Sequence, residues 1–185
     1  MPTMPAPPFA PLTARALTCA VLAMGAVVLL SNVLVRYPIN AWLTWGAFSY
    51  PLAFLISNLI NRRFGPRAAR TVAWCGFALA VALSVWLATP RIAAASCTAF
   101  IAAQLLDISV FDRLRAGSWW RAPIVATACS ATLDTAIFWS VAFAGAALPW
   151  VSWAAGDLAV KLGMGVLLLG PFRALLWRSA PRHLA

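Results

Sequence analysis

Glutamate is absent from this 185-residue chain, and lysine and histidine occur once each, as Lys161 and His183. Only 10% of the residues are charged. A soluble domain carries about a quarter, so this scarcity argues against a soluble enzyme. Disorder of the whole chain is excluded as well, because 63% of the residues are hydrophobic and disorder requires the opposite. Cys19, Cys75, Cys97 and Cys129 form no C-x-x-C pair and lie inside apolar runs. With a single histidine available, no zinc or redox site assembles at the usual spacings. A glycine-rich phosphate loop is missing too, and no Ser/His/Asp set or pair of glutamates supports catalysis. No cofactor and no enzymatic role are expected.

What is present is apolar length. Mean hydropathy is +0.87, and a bilayer-crossing helix needs roughly 20 apolar residues. Six such spans are predicted, at about 16–35, 42–60, 71–89, 92–111, 122–145 and 153–173. Pro51 falls inside the second and should kink it or free a backbone carbonyl. The segment 61–70 (NRRFGPRAAR) reads as a charged loop. Residues 1–14 are proline-rich and read as a disordered cytoplasmic tail. Residues 15–177 form the membrane domain, and 178–185 a second cytoplasmic tail. A cleaved signal peptide is the weaker alternative for the start, since its positive region is slight and no A-x-A site follows.

The formal net charge of +10, from 14 Lys+Arg against 4 Asp+Glu, would suggest nucleic acid in a soluble protein. Here the arginines sit between apolar runs, so they report topology and no nucleic-acid partner is expected. One side collects Arg15, Arg62, Arg63, Arg67, Arg70, Arg113, Arg115, Arg121, Arg173, Arg178 and Arg182; the other has Arg36 and Arg91. By the positive-inside rule both termini are cytoplasmic. The fold class expected is therefore an all-α, six-helix, multi-pass membrane protein, N-in and C-in. Trp42, Trp45, Trp119, Trp120, Trp150, Trp153 and Trp177 lie near span ends, as an interfacial aromatic belt would.

Charges deep in hydrocarbon cost at least ~2.5–3.5 kcal/mol on insertion scales and are functional candidates for that reason. Asp134 lies about 18 Å into the fifth span at 1.5 Å per residue, near the midplane of a ~30 Å core. It shares a face with Thr127, Ser130, Ala131, Ile137 and Phe138. Asp157 and Lys161 stand at i and i+4 in the sixth span and can pair. That pair either holds the bundle together or lines a solute path. Gln104 and Asp107 share a face of the fourth span, and Asn58 lies at the same depth in the second. Asp107 either neutralises Arg113 or Arg115 or belongs to the site; Asn58 either bonds between helices or meets a ligand. Arg91 either snorkels to headgroups or faces the cavity and Asp157. Small residues recur every four positions at Ala16/Ala20, Ala95/Ala99/Ala103 and Ala128/Thr132/Ala136/Ser140, ridges that permit close helix packing. A polar interior with carboxylate acceptors suits a heterocycle bearing N–H groups, and aromatic side chains can stack on it.

Three stretches carry a resemblance. They are LTWGAFSYPLAFLISNLINRRFGPRAAR (43–70), RIAAASCTAFIAAQLLDISVFDRLR (91–115), and WWRAPIVATACSATLDTAIFWSVAFAG (119–145) followed by DLAVK (157–161). Together they resemble the queuosine precursor transporter family, also called vitamin uptake transporter-like, over about 43–170. The resemblance implies a six-helix bacterial inner-membrane importer of 7-deazaguanines such as 7-cyano-7-deazaguanine or its aminomethyl relative. The family's polar membrane positions match Gln104, Asp107, Asp134, Asp157 and Lys161. Where the family usually has Thr-Asp, this chain has Ser57-Asn58, and where it often has an acid, this chain has Arg62. On this reading Asp134 accepts the base's N–H groups, and Lys161, tied to Asp157, meets a carbonyl. Gln104, Asp107 and Asn58 line the inner path, and Trp45 or Phe138 stacks on the ring. The partners are the solute and membrane lipid, and a homodimer is compatible with so small a bundle. The alternative is the substrate-capturing subunit of an energy-coupling importer for another planar heterocycle or vitamin.

Overall fold

A computed structural model describes residues 9–87 and 90–178. The described elements are helices, in the order α1 (Ala14–Leu34), α2 (Gly46–Ser49), α3 (Pro51–Leu87), α4 (Pro90–Leu114), α5 (Arg121–Phe143), α6 (Trp150–Leu167) and α7 (Leu169–Arg178). Most of the first proposed tail (1–8), the residues between α3 and α4 (88 and 89) and most of the second tail (179–185) lie outside the described residues. Among the described residues four helical stretches are long and apolar enough to cross a bilayer: Ala14–Leu34, Pro90–Leu114, Arg121–Phe143 and Trp150–Leu176. The last runs through α6 and α7 together. Leu22, Trp74, Val166 and Leu167 are large apolar side chains left exposed around the bundle, as a lipid-facing surface would present them.

Proline punctuates the region of the expected second span. The four-residue α2 ends at Tyr50, and α3 begins at Pro51, whose missing N–H is harmless at a helix start. The Tyr50 carbonyl accepts from the Ala53 N–H at 2.9 Å across the junction.

The expected charged loop at 61–70 is helical instead. The break is confined to Gly65, at φ 87° and ψ 171°, with Pro66 restarting the helix. That combination of angles is open essentially to glycine alone. Pro66 also has no N–H for the Arg62 carbonyl. Arg115 Nη2 fills the gap, donating to the carbonyls of Arg62 (3.3 Å) and Asn61 (3.0 Å). Arg62 returns the contact by donating to the Arg115 carbonyl at 2.6 Å. The chain ahead of α1 packs on the same corner. Ala10 N–H donates to the Arg63 carbonyl at 3.2 Å, and the Phe9 ring lies 4.4 Å from the Arg115 guanidinium carbon. The two helical arms close up to a break at Gly65, within a segment that composition marked as loop, because Arg115 and Ala10 meet the carbonyls that the break exposes.

The main core joins α1, α3 and α4 through Met24, Val28, Phe54, Val72 and Phe100, with the small Ala73 and Ala103 between them. A second cluster packs Phe111, Ala122, Ala126 and Phe172 at the arginine-rich end. Of the small-residue ridges, Ala95, Ala99 and Ala103 are buried, so α4 uses its ridge. On α5 the ridge faces outward: Thr132, Ala136 and Ser140 are exposed. Helix α6 is anchored differently, since Asp157 and Lys161 are its buried residues. It sits close because Gly156 presents no side chain where the Trp42 carbonyl crosses it.

Candidate functional site

Three segments converge on Lys161. From α6, its ammonium donates to Asp157 Oδ2 at 2.5 Å, one turn earlier on the same helix. Across the gap to α5, it donates to Asp134 Oδ2 at 2.7 Å and to Thr135 Oγ1 at 3.2 Å. From the α2–α3 junction, Tyr50 Oη donates to Asp134 Oδ1 at 2.6 Å, and its ring faces the ammonium at 4.8 Å. Asp157 Oδ2 also accepts from Thr135 Oγ1 (3.0 Å) and Trp139 Nε1 (3.2 Å). Asp134, Asp157 and Lys161 are 3%, 6% and 3% exposed. At that depth an unpaired charge would be prohibitive, so the network is what permits the charges. Two carboxylates share one ammonium, which leaves a surplus negative charge when all three are ionised.

The acceptors of the network are unevenly used. Both oxygens of Asp134 are engaged. Asp157 Oδ2 is engaged three times. Asp157 Oδ1 accepts no hydrogen bond from the described residues. Asp157 lines a narrow, partly open cleft of about 30 Å³. The cleft is also walled by Tyr50, Asp134, Phe138 and Lys161, and on the facing side by Asn32 of α1 and Ser96 of α4. Ser96 Oγ donates to Asn32 Oδ1 at 2.7 Å and ties those two helices together.

The residues singled out in the sequence therefore separate into groups. Asp134, Asp157, Lys161 and Phe138 meet at the cleft. Asn58, Gln104 and Asp107 are buried but do not line it; Asn58 borders a second cleft with Thr127, to which it donates at 3.3 Å. Asp107 does not neutralise Arg115, which instead pairs with Asp112 at 2.9 Å. Trp45 is 54% exposed and outside the cleft, at the start of α2. Arg91 holds the end of α5, donating to the carbonyls of Val141 (2.9 Å) and Ala144 (2.5 Å). Orphan carbonyls at a helix C-terminus are what a guanidinium serves. Tyr50, Thr135, Trp139, Asn32 and Ser96 escaped the sequence reading. Tyr50 left one signal, its place beside the helix-breaking Pro51. Among the described residues no group of three or more His, Cys, Asp or Glu could hold a metal ion.

Comparison with known proteins matches this architecture to a family. The sequence model described as putative vitamin uptake transporter matches residues 44–89 and 82–176, which span every residue of the Tyr50–Asp134–Asp157–Lys161 network. The chain belongs to this family. It is a multi-pass membrane protein, and the resemblance read in its sequence holds. Among the curated relatives of this vitamin uptake transporter family chain is the queuosine precursor transporter of Escherichia coli (strain K12). The two are 31% identical over 186 residues, covering 84% of this chain and 83% of the relative. The probable queuosine precursor transporter of Haemophilus influenzae is also 31% identical, over 154 residues, covering 69% of this chain and 66% of the relative. That of Bacillus subtilis (strain 168) is 28% identical over 130 residues, covering 55% and 57%. No solved structure matches the chain.

Proposed function

We propose that this chain is a bacterial inner-membrane importer of a queuosine precursor, a 7-deazaguanine such as 7-cyano-7-deazaguanine or its aminomethyl relative, and not an enzyme. The observation that carries the reading is the cleft carboxylate with a free oxygen. Asp157 Oδ1 is unengaged beside a buried ammonium and a surplus negative charge. A guanine-like edge offers a ring N–H and an exocyclic amine, both donors. Such an edge docks on Asp157 Oδ1, with Asp134 behind it, while Lys161 releases its longest hydrogen bond, to Thr135, and donates to the ring carbonyl. Phe138 supplies a face for the planar ring. Relatives that carry the name queuosine precursor transporter support the substrate class.

The membrane reading is six spans with both termini cytoplasmic. The two arms of α3, 51–64 and 66–87, supply the second and third crossings and turn at Gly65. Arg62 and Arg115 lie interlocked at that turn, and the eleven-to-two arginine bias puts it in the cytoplasm.

Calorimetry of the purified chain with 7-cyano-7-deazaguanine tests the substrate, with guanine and riboflavin as controls. Specific micromolar binding is expected, and Asp157→Asn, inserted and folded, should abolish both binding and uptake. Uptake at the native rate by Asp157→Asn would overturn docking on Asp157. Transport only when a separate ATPase co-purifies would replace the importer with the substrate-capturing subunit of an energy-coupling system.

A further inference from the structure

A second buried polar group, none of it lining the Lys161 cleft, lies where α3, α4 and α5 meet. Ser57, Asn58 and Asn61 come from α3, Gln104 and Asp107 from α4, and Ser130 from α5; none is more than 3% exposed. Three contacts bring them to one seam. Asn61 Nδ2 donates to the Ile108 carbonyl of α4 at 3.1 Å. Asn58 Nδ2 donates to Thr127 Oγ1 of α5, one turn before Ser130, at 3.3 Å. Ser57 is the polar neighbour of the Asp107 carboxyl. Gln104 lies on the face of Asp107, three residues earlier.

These groups are left incomplete, and mostly in one sense. Both asparagines spend their amide N–H on other elements and leave Oδ1 without a donor. Gln104 Oε1 and the Ser130 hydroxyl likewise find no hydrogen-bond partner, and the Asp107 carboxyl has Ser57 alone as its polar neighbour. Gln104 Nε2 is the one nitrogen among the unpaired atoms of this group. Asp107 takes part in none of the ion pairs among the described residues. Natural structures rarely leave buried polar atoms unpaired, and a cluster of them calls for an occupant.

The chemistry narrows that occupant. Water would satisfy the neutral oxygens and leave the carboxylate charge uncompensated. A proton on Asp107 would cancel the charge and supply one O–H donor, and several waters would still be needed for the remaining oxygens. A small hard cation does both at once, since carboxylate, carbonyl and hydroxyl oxygens are its natural ligands. The seam carries one carboxylate, which matches a single positive charge. We infer that Asp107, Gln104, Asn61 and Ser57, with Asn58 and Ser130 at the margin, form a sodium-ion site. A narrow cleft bordered by Thr127 and the α6–α7 break at Leu168 reaches the seam at Asn58. None of these residues lines the Asp134–Asp157–Lys161 cleft, and the test needs no transported solute.

The test is thermal unfolding of the purified full chain in detergent. It compares NaCl with choline chloride at equal ionic strength and fixed pH. The melting temperature should rise saturably with sodium, and Asp107→Asn should erase the rise. If Asp107→Asn does not fold, Gln104→Leu and Asn61→Ala should each move the sodium midpoint upward. Identical wild-type melting in the two salts overturns the site, as does a sodium response that survives in all three variants. A response to pH in place of sodium also overturns it and assigns the seam to a protonated Asp107 with water. Absence of deazaguanine binding in the calorimetry above leaves this test unaffected.

Discussion

Lys161 holds two carboxylates on different helices, so its removal is felt by both. Lys161→Met would leave Asp134 and Asp157 buried without a cation. Breaking a buried pair from one side typically costs about 3–5 kcal/mol. The variant should therefore unfold markedly earlier in a thermal melt, and adding Asp157→Asn should recover part of the loss by removing one orphaned charge. Equal melting of the wild type and Lys161→Met would show that the network carries no net stability. Tyr50→Phe tests a finer point. The phenol hydroxyl donates to Asp134 at 2.6 Å, and a hydrogen bond to a charged group is worth about 1.5–3 kcal/mol. If that bond orients Asp134 for ligand, calorimetry should find binding weakened roughly tenfold to a hundredfold. An unchanged affinity would make Tyr50 a bystander.

At the scale of the helix, two glycines set how elements meet. Gly65 takes angles that a Cβ disfavours, and the Phe9 ring lies against the place where that Cβ would stand. Gly65→Ala should cost about 1–3 kcal/mol through backbone strain, read as a lower melting temperature. Gly156 has helical geometry, but its missing Cβ makes room for the Trp42 carbonyl. Because backbone lies opposite, the neighbour cannot swing away as a side chain would. Gly156→Ala should push α6 outward and loosen the network hung on Asp157 and Lys161, so ligand binding should fall together with stability. Retention of both would mean that the segment 37–45 moves freely. The outward ridge on α5 shows the limit of spacing arguments. Its four-residue rhythm equals that of the buried ridge on α4, and only the neighbours differ.

Across the whole molecule, the arginine-rich corner built from α3, α4 and the chain ahead of α1 predicts topology directly. In a cysteine-free background, Arg67→Cys should react with an impermeant thiol reagent only after the membrane is permeabilised. Leu148→Cys, between α5 and α6 and 47% exposed, should react in intact cells. The reverse pattern would invert the orientation, and labelling of both from one side would remove the paired crossings at Gly65.

Local composition was enough to determine the membrane class and the candidacy of Asp134, Asp157 and Lys161. Burial cost is a property of residue type and apolar surroundings, and an i, i+4 pair is fixed by helix geometry alone. Partnership across helices was not determined in that way. Nothing near Asp134 in the chain announces Tyr50, 84 residues away, and nothing near Arg91 announces the end of α5, 50 residues on. The helix through 61–70 was hidden for the same reason. Its exposed carbonyls are met by Arg115 and Ala10, groups that lie beside Arg62 and Arg63 only after folding. Periodicity identifies which residues share a face, while packing decides what that face meets. Tertiary structure therefore divided one set of polar candidates into a charged cleft around Lys161 and a separate oxygen-lined seam around Asp107.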